Sequence, residues 1–365
     1  MLMPYSSGFR YKSTKAKSTR LDKFGAQKKT ALKKKTQNFT QLITLTVLSI
    51  VSIIFLSLYF VNKNINKNFA YAENSSNLNS DFYSFTYFTI DDKNSDTPEL
   101  KKLSFVLIDK ISNKTLILDF PINLTTNIDS RFVDTTFEQL FKLTGLKNDD
   151  KLLSGVESIN LQILKILGVY PEKFILVDQS MSKDFDELLY DGNKNFVLSN
   201  IIGIYNNSGI KTDISLLDLL SIQSDLNDRV SQDTKNIILN ETTVNDENFL
   251  NSLFDIVSLS SLVAQEKKTI SVLNGSGISG VAGFGARVVR NNGGRVVSID
   301  NASHIYENSV LIVEDKNSET TNFLKNTFNI NNVYEKSEVS LDQEDSIQRS
   351  DTTLIIGIDF AELVY

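Results

Sequence analysis

The chain has 365 residues, with 38 Lys and Arg against 44 Asp and Glu for a net charge of −6, no Cys and one His. Without Cys there is no disulfide, no thiol nucleophile and no thiolate metal site. The single His304 excludes a zinc site built on histidines and is the one residue that could serve a Ser-His-Asp triad. It comes after Asn301-Ala302-Ser303 and reads as an exposed loop residue. The length leaves room for two modest domains.

The charge is unevenly spread. Residues 1–38 hold 11 Lys and Arg against the lone acid Asp22, and the remainder holds 27 basic against 43 acidic residues. Few large apolar residues and no sustained periodicity make 1–38 a disordered basic tail. Phe39–Asn62 carries no charge, and its centre, Leu42–Phe60, is apolar apart from Thr and Ser. At about 1.5 Å per residue such a helix matches the roughly 30 Å hydrocarbon core of a bilayer. Thr44, Thr46, Ser49, Ser52 and Ser57 can bond back to helix carbonyls. The run is longer than a secretory h-region, so despite Ala70-Tyr71-Ala72 it reads as an uncleaved single-pass signal anchor over 39–62. The basic flank predicts residues 1–38 in the cytoplasm and residues 62–365 outside. Residues 63–84 are polar and aperiodic and read as a linker, with an Asn74-Ser75-Ser76 sequon.

From 85 to 245 strand-like and helix-like segments alternate, which predicts a layered α/β domain. Leu103–Ile108 and Thr115–Phe120 form a hairpin closed by Pro121. Thr135–Leu143 and Ser154–Leu167 read as helices with capping boxes at Thr135/Glu138 and Ser154/Glu157, the second stopped by Gly168. Their buried faces would be Phe137, Leu140, Phe141, Ile159, Ile163, Ile166 and Leu167. Lys173–Val177 is a strand, and Asp213–Ile222 a helix capped by Asp213 or Ser215. Residues 246–267 read as a second linker.

Thr269–Leu273, a glycine turn from Asn274 to Gly280, a helix over Val281–Asn291 and a strand over Arg295–Ile299 make a β-α-β unit. Ser309–Val313 (strand), Ser318–Phe328 (helix) and Thr352–Ile358 (strand) continue it, with an extended stretch at Asn332–Glu338, giving a β-α-β-β-α-β order and a small two-layer domain with helices on one face over 268–365. Gly275, Gly277 and Gly280 spell G-x-G-x-x-G, with Asp300 about twenty residues on, the pattern of a dinucleotide site. The competing reading, that the glycines let strand and helix pack closely, is favoured because the remainder does not read as a second nucleotide-binding half.

The run Val272-Leu273-Asn274-Gly275-Ser276-Gly277 to Gly280, then Gly293-Gly294-Arg295-Val296-Val297-Ser298-Ile299-Asp300-Asn301-Ala302, resembles the LytR C-terminal domain, over about Lys268–Phe360. The resemblance implies a small α/β domain of a bacterial envelope protein; Asp359-Phe360 after Gly357 matches its closing Gly-x-Asp. The middle region resembles the LytR-CpsA-Psr (LCP) phosphotransferase domain in Ile108–Pro121, in Leu164–Val169 with Phe174–Asp178, in Ile210–Leu216 with Asp218–Leu220, and in the order of Asn248–Glu266. That family is thought to move a glycopolymer from a polyprenyl-pyrophosphate carrier to the cell wall, with arginines on the pyrophosphate and carboxylates on a divalent metal. Here Ile122-Asn123 stand where the family has Arg-Asp after its proline, and Glu99 and Lys101 where it has an Arg and an Asp. Asn94-Ser95-Asp96-Thr97 lacks the family's Arg. Arg131 and Arg229 are the only arginines between Arg20 and Arg287.

The chain therefore reads as a membrane-anchored extracytoplasmic envelope protein with a degenerate LCP-like domain and a LytR C-terminal domain. The expected role is non-catalytic: binding or positioning wall glycopolymer, peptidoglycan or envelope partners, without nucleic acid. No catalytic residue, metal ligand or cofactor is assigned; Asn274, Gly275, Gly277 and Gly280 are the candidate ligand-binding residues. An LCP-type phosphotransferase and a nucleotide-binding module at the glycine turn are the alternatives.

Overall fold

The computed structural model describes residues 41–57, 59, 82–126, 135–145, 150–191, 197, 200, 209–227, 234–254, 261–339, 344 and 346–364. The basic tail, the sequon, Ala70–Ala72, Arg131 and Arg229 lie outside them. The chain divides into two units, Met1–Phe60 and Val61–Tyr365.

In the first unit residues 41–57 form a helix (α1), whose large apolar side chains, from Leu42 to Leu56, are exposed all round. Thr44, Thr46 and Ser57 donate to the carbonyls of Gln41, Leu42 and Ile53 at 3.0, 2.8 and 2.7 Å, the back-bonding expected of hydroxyls in an apolar helix. Among the described residues no helix is long and apolar enough to cross a membrane. The expected span, 39–62, extends past the described helix at both ends.

The second unit begins with a six-stranded sheet. Its strands are β1 (Phe82–Ile90), β2 (Leu100–Asp109), β3 (Lys114–Phe120), β6 (Lys173–Asp178), β7 (Ile210–Thr212) and β8 (Thr234–Ile238); β4 (Thr125–Thr126) and β5 (Thr135–Thr136) pair separately. The order is β7-β6-β1-β2-β3-β8. The expected hairpin is β2 antiparallel to β3. The helices of this region are α2 (Phe137–Gly145), α3 (Lys151–Leu167), α4 (Gln179–Asp191), α5 (Leu216–Asn227), α6 (Glu241–Val244) and α7 (Glu247–Phe254). One face of the sheet packs Phe88, Phe105, Leu118 and Leu176 against Phe137, Phe141, Ile159, Ile163, Leu250 and Phe254 from α2, α3 and α7. On the other, Tyr87 lies 4.4 Å from the Phe185 ring of α4, and the Tyr83 hydroxyl donates to Asp225 of α5 at 2.8 Å. Residue for residue, the expected buried faces of α2 and α3 are buried.

The caps differ from expectation by a turn or less. The α2 box is Thr136/Gln139, one residue along, with Gln139 N donating to Thr136 Oγ1 and Thr136 N to Gln139 Oε1. Helix α3 starts earlier, with Asp150 accepting from Leu153 N at 3.1 Å, so Ser154 lies inside the helix and donates back to the Asp150 carbonyl. Asp outcompetes the interior Ser because its carboxylate faces the partial positive charge of the helix start. Ser215, not Asp213, caps α5; Asp213 accepts from Phe174 N at 2.9 Å.

After α8 (Leu262–Glu266) come β9 (Thr269–Asn274), α9 (Val281–Asn291), β10 (Arg295–Asn301), β11 (Val310–Val313), α10 (Glu319–Thr327), β12 (Asn332–Glu335), α11 (Ser346–Arg349), β13 (Thr352–Ile356) and α12 (Ile358–Val364). The sheet order is β10-β9-β13-β11-β12. Strand β9 is parallel to β10 and β13, and β11 is antiparallel to β13 and parallel to β12. Helices α9, α10 and α12 cover one face through Val281, Val288, Leu324, Phe328 and Phe360. The other face carries a small cluster of Leu273, Ile312, Ile347 and Ile355. The layering of helices on a sheet agrees with the expected order. Helices α11 and α12 are not among the expected helices, and Ile347 of α11 packs on the second face, so the helices do not all lie on one side.

The two sheets are joined at the C-terminal end of α3. Gly168, left-handed at φ 68°, ends that helix. Arg287 of α9 donates to the carbonyls of Lys165 and Ile166 at 3.1 and 2.5 Å, Asn291 to Leu167 at 2.7 Å and Asn292 to Gly168 at 3.1 Å. Asn251 of α7 accepts from Arg287 Nε and Asn291 Nδ2 at 2.9 and 3.0 Å. Leu164, on the outer side of α3, belongs to the second domain's core. Helix ends leave carbonyls without intrahelical partners, and a cation there also meets the negative end of the helix dipole.

These contacts can be tested by substitution. Arg287→Ala should destabilise the protein by about 2–3 kcal/mol, and Arg287→Lys should recover only part of it, since one ammonium cannot span two carbonyls as a guanidinium does; urea denaturation monitored by circular dichroism measures both. Burial pushes the Asp213 pKa up to about 6. A folded-state pKa above the unfolded value means the folded carboxylate is penalised above pH 6 and relieved as pH falls toward 4. Asp213→Asn keeps an acceptor for Phe174 N, so it should stabilise by about 2 kcal/mol at pH 7.5 and by almost nothing at pH 4.

Candidate functional site

The glycine turn lies where the parallel strands β9, β10 and β13 end, the side of an open α/β sheet on which ligands gather. Asn274 organises it. Its Oδ1 accepts from Ser276 N and Oγ at 3.0 and 2.8 Å, and its Nδ2 donates to the Ile278 carbonyl at 2.8 Å. Ser276 Oγ accepts from Ile278 N. Gly275 N donates to the Ile356 carbonyl at 2.8 Å, and Tyr306 N donates to the Gly275 carbonyl at 2.7 Å. A Cβ on Gly275 would sit 2.9 Å from the Tyr306 ring, and one on Gly285 would overlap Ile356. Gly277 and Gly280 take φ of +74° and +90°, which favours glycine.

This geometry favours close packing over the dinucleotide reading. Three amide N–H groups that a pyrophosphate would need are already engaged, that of Gly275 by the Ile356 carbonyl of β13 and those of Ser276 and Ile278 within the turn. Asp300 is exposed and accepts from its neighbour Asn301 N at 2.9 Å.

Sequence reasoning identifies the turn but misses what stands on it. His304 stacks on Tyr306 with ring centroids 4.2 Å apart, and Ile305, 56% exposed, lies over Gly277. Behind them Glu344 is buried, and its Oε1 accepts from Ser303 N at 2.8 Å, Ser303 Oγ at 2.7 Å and the Tyr306 hydroxyl at 3.2 Å. Burial, then the Glu344 charge, pushes the Tyr306 pKa up to about 12. Ser303 Oγ also lies 3.0 Å from His304 Nδ1. The carboxylate holds the hydroxyl and not the imidazole, the reverse of the order a triad needs. The result is a ledge of imidazole and aliphatic surface edged by the exposed Gly277, Ser279, Gly280 and Asn301. Asp359 accepts from Ser309 N and Oγ, and Ser309 Oγ in turn accepts from Gly357 N, so the closing Gly-x-Asp staples β13 to the start of β11.

A second charged pole lies at the ends of β1 and β6 and the start of α3. Lys211 reaches both Asp150 oxygens at 2.7 Å. Glu99 takes Lys101 at 2.8 Å and Lys142 at 3.9 Å, and Lys151 lies 3.4 Å from Asp96. Asp178 accepts from Lys93 N at 2.9 Å, and burial raises its pKa. Ile122 packs, partly buried, on the domain core, and Asn123 is exposed. The lysines here face carboxylates, which leaves little net positive field. Among the described residues no group of three His, Asp or Glu could hold a metal ion.

Residues 267–360 match the protein family described as LytR cell envelope-related transcriptional attenuator, as the sequence resemblance implies for the terminal domain. No curated protein matches the chain in sequence. Among solved structures the chain is similar to TagV of B. subtilis (11% identity, 44% of this chain and 84% of that one, TM-score 0.34). It is also similar to the transcriptional regulator yvhJ from Bacillus subtilis (12%, 48% and 97%, TM-score 0.35). A third is TagT bound to LI-WTA (13%, 47% and 90%, TM-score 0.32).

Asn274→Ala removes two accepted bonds and one donated bond from a half-buried turn and should cost about 2–3 kcal/mol. Gly277→Ala, through its left-handed backbone alone, should cost about 1–2 kcal/mol. Guanidinium denaturation of each variant against the parent checks both.

Proposed function

We propose that this is a single-pass envelope protein, with the basic tail in the cytoplasm, whose terminal domain binds wall glycopolymer outside the cell while the middle domain acts as a non-catalytic scaffold. The carrying observation is the His304–Ile305–Tyr306 ledge seated on the glycine turn, in a domain whose family is described by its cell envelope role. An aromatic or imidazole face meets the C–H face of a sugar ring, and the exposed polar groups of Ser279, Asn301 and Ser303 suit its hydroxyls. Asn274, Gly275, Gly277 and Gly280 shape the ledge rather than grip the ligand through a pyrophosphate. The anchoring rests on α1, whose exposed apolar surface and back-bonded hydroxyls suit lipid, and on the charge excess ahead of it.

The transferase reading has one observation in its favour, the gathering of Lys93, Lys101, Lys142, Lys151 and Lys211 at one pole. Against it, the carboxylates beside them supply the counter-charge a pyrophosphate would otherwise bring, and Ile122 fills an arginine position with an apolar side chain. Full-length protein in detergent should co-sediment with purified wall carrying its glycopolymer. His304→Ala with Ile305→Ser should weaken that binding about tenfold, a loss of roughly 1.4 kcal/mol, and Lys211→Ala should leave it unchanged. Polyprenyl-pyrophosphate with Mg²⁺ should give no saturable thermal shift. Binding that survives the ledge variant, or falls with Lys211, would overturn the assignment.

A further inference from the structure

Strand β10 is an edge of the terminal sheet, paired on one side with β9 among the described residues. The pairing carries a bulge. Val296 lies opposite Ile270 and Ser298 opposite Ser271, with Val297 between them and 45% exposed. An inserted residue reverses which face the later side chains take. Before the bulge Arg295 faces away from the helices and Val296 toward them, against the helix-covered core. After it Ser298 and Asp300 face away, beside Ser271 and Leu273, while Ile299, beside Val272, faces the helix side and is 44% exposed.

We propose that β10 pairs with β10 of a second copy, antiparallel about a two-fold axis between Val297 and Ser298, joining two five-stranded sheets into one. In that register Arg295 stands opposite Asp300 on one face, and Val296 opposite Ile299 on the other, each twice. Opposite charges and apolar pairs directly across a ladder are the favourable cross-strand combinations. Sliding the register by one residue sets side chains of opposite faces against each other. The bulge makes this match possible, because in a regular strand positions 295 and 300 would point to different faces. Charges and bulges on an edge usually discourage pairing; here the two signs occupy mirrored positions, so they reject other strands and admit this one. The contact is isologous, each patch meeting its own copy, and so it closes at a dimer.

The test is sedimentation equilibrium of the full-length chain in detergent. A reversible dimer is expected. Arg295→Asp and Asp300→Arg should each weaken it about tenfold or more, and the double reversal should restore it. Since the chain has no cysteine, Val296→Cys with Ile299→Cys should give an oxidised, covalently linked dimer, which distinguishes β10 pairing from association through α1. A monomer at every concentration, a dimer indifferent to either single reversal, or no cross-link in a folded double-cysteine protein would overturn the proposal.

Discussion

The C-terminal end of α3 is the constraint on which the arrangement of the second unit depends. Four successive carbonyls, from Lys165 to Gly168, would otherwise face solvent or an apolar interface. They are met by Arg287, Asn291 and Asn292, which lie more than a hundred residues away on α9 and just after it. A side chain that satisfies a neighbouring domain's helix end fixes both position and angle, because several hydrogen bonds must be made at once. Asn251 of α7 holds Arg287 and Asn291 from behind. The result is one hydrogen-bonded junction built from the middle region, the segment after it and the terminal domain. Leu164 and Leu161 of α3 pack against the terminal domain's core beside it.

The periodic elements are legible in the sequence. Hairpin β2/β3, the buried stripes of α2 and α3, strand β6 and the β-α-β start of the terminal domain all carry strong local signals. Strand β1 carries a shorter one: Tyr83-Ser84-Phe85-Thr86-Tyr87 alternates aromatic and polar residues, and the pattern breaks at Phe88 because both faces of this interior strand are covered by helices. Helix α4 has mean hydropathy too low to stand out, and just three of its side chains, Phe185, Leu188 and Leu189, are buried. The caps shift by a residue or a turn between sequence and structure because several residues in a row could cap, and tertiary position chooses among them. The bulge at Val297 is set by pairing with β9 and is invisible in a run of Val and Ile.

The site is half legible. The spacing of Gly275, Gly277 and Gly280 announces a tight turn, and the same spacing serves nucleotide binding and close packing. What separates the two is the destination of the amide groups, and that depends on Asn274 reaching across the turn and on Ile356 arriving from β13, eighty residues later. Stacking of His304 on Tyr306 and the buried Glu344 behind them are likewise products of the fold. The lysines at the other pole are spread from 93 to 211 in the chain, and no local pattern links them. Their carboxylate partners cannot be picked out from composition, which marks the region only as acidic.

Helix α9 shows how one element carries all of this. Its first residue comes after the left-handed Gly280 and so receives the turn. Its inner face, with Val281, Ala286, Val288 and Val289, fills the domain core, and Gly285 lets it approach the sheet where Ile356 lies. Its last two turns supply Arg287 and Asn291 to the end of α3. A shift of α9 along its axis would therefore disturb the turn and the junction together, because a packed helix moves as a rigid rod and not by stretching. The glycines that resemble a phosphate cradle are needed to let this helix sit low on the sheet. That low seat keeps Arg287 and Asn291 within hydrogen-bonding reach of α3, so the motif acts first on architecture, and any ligand at the ledge meets a surface already fixed from behind.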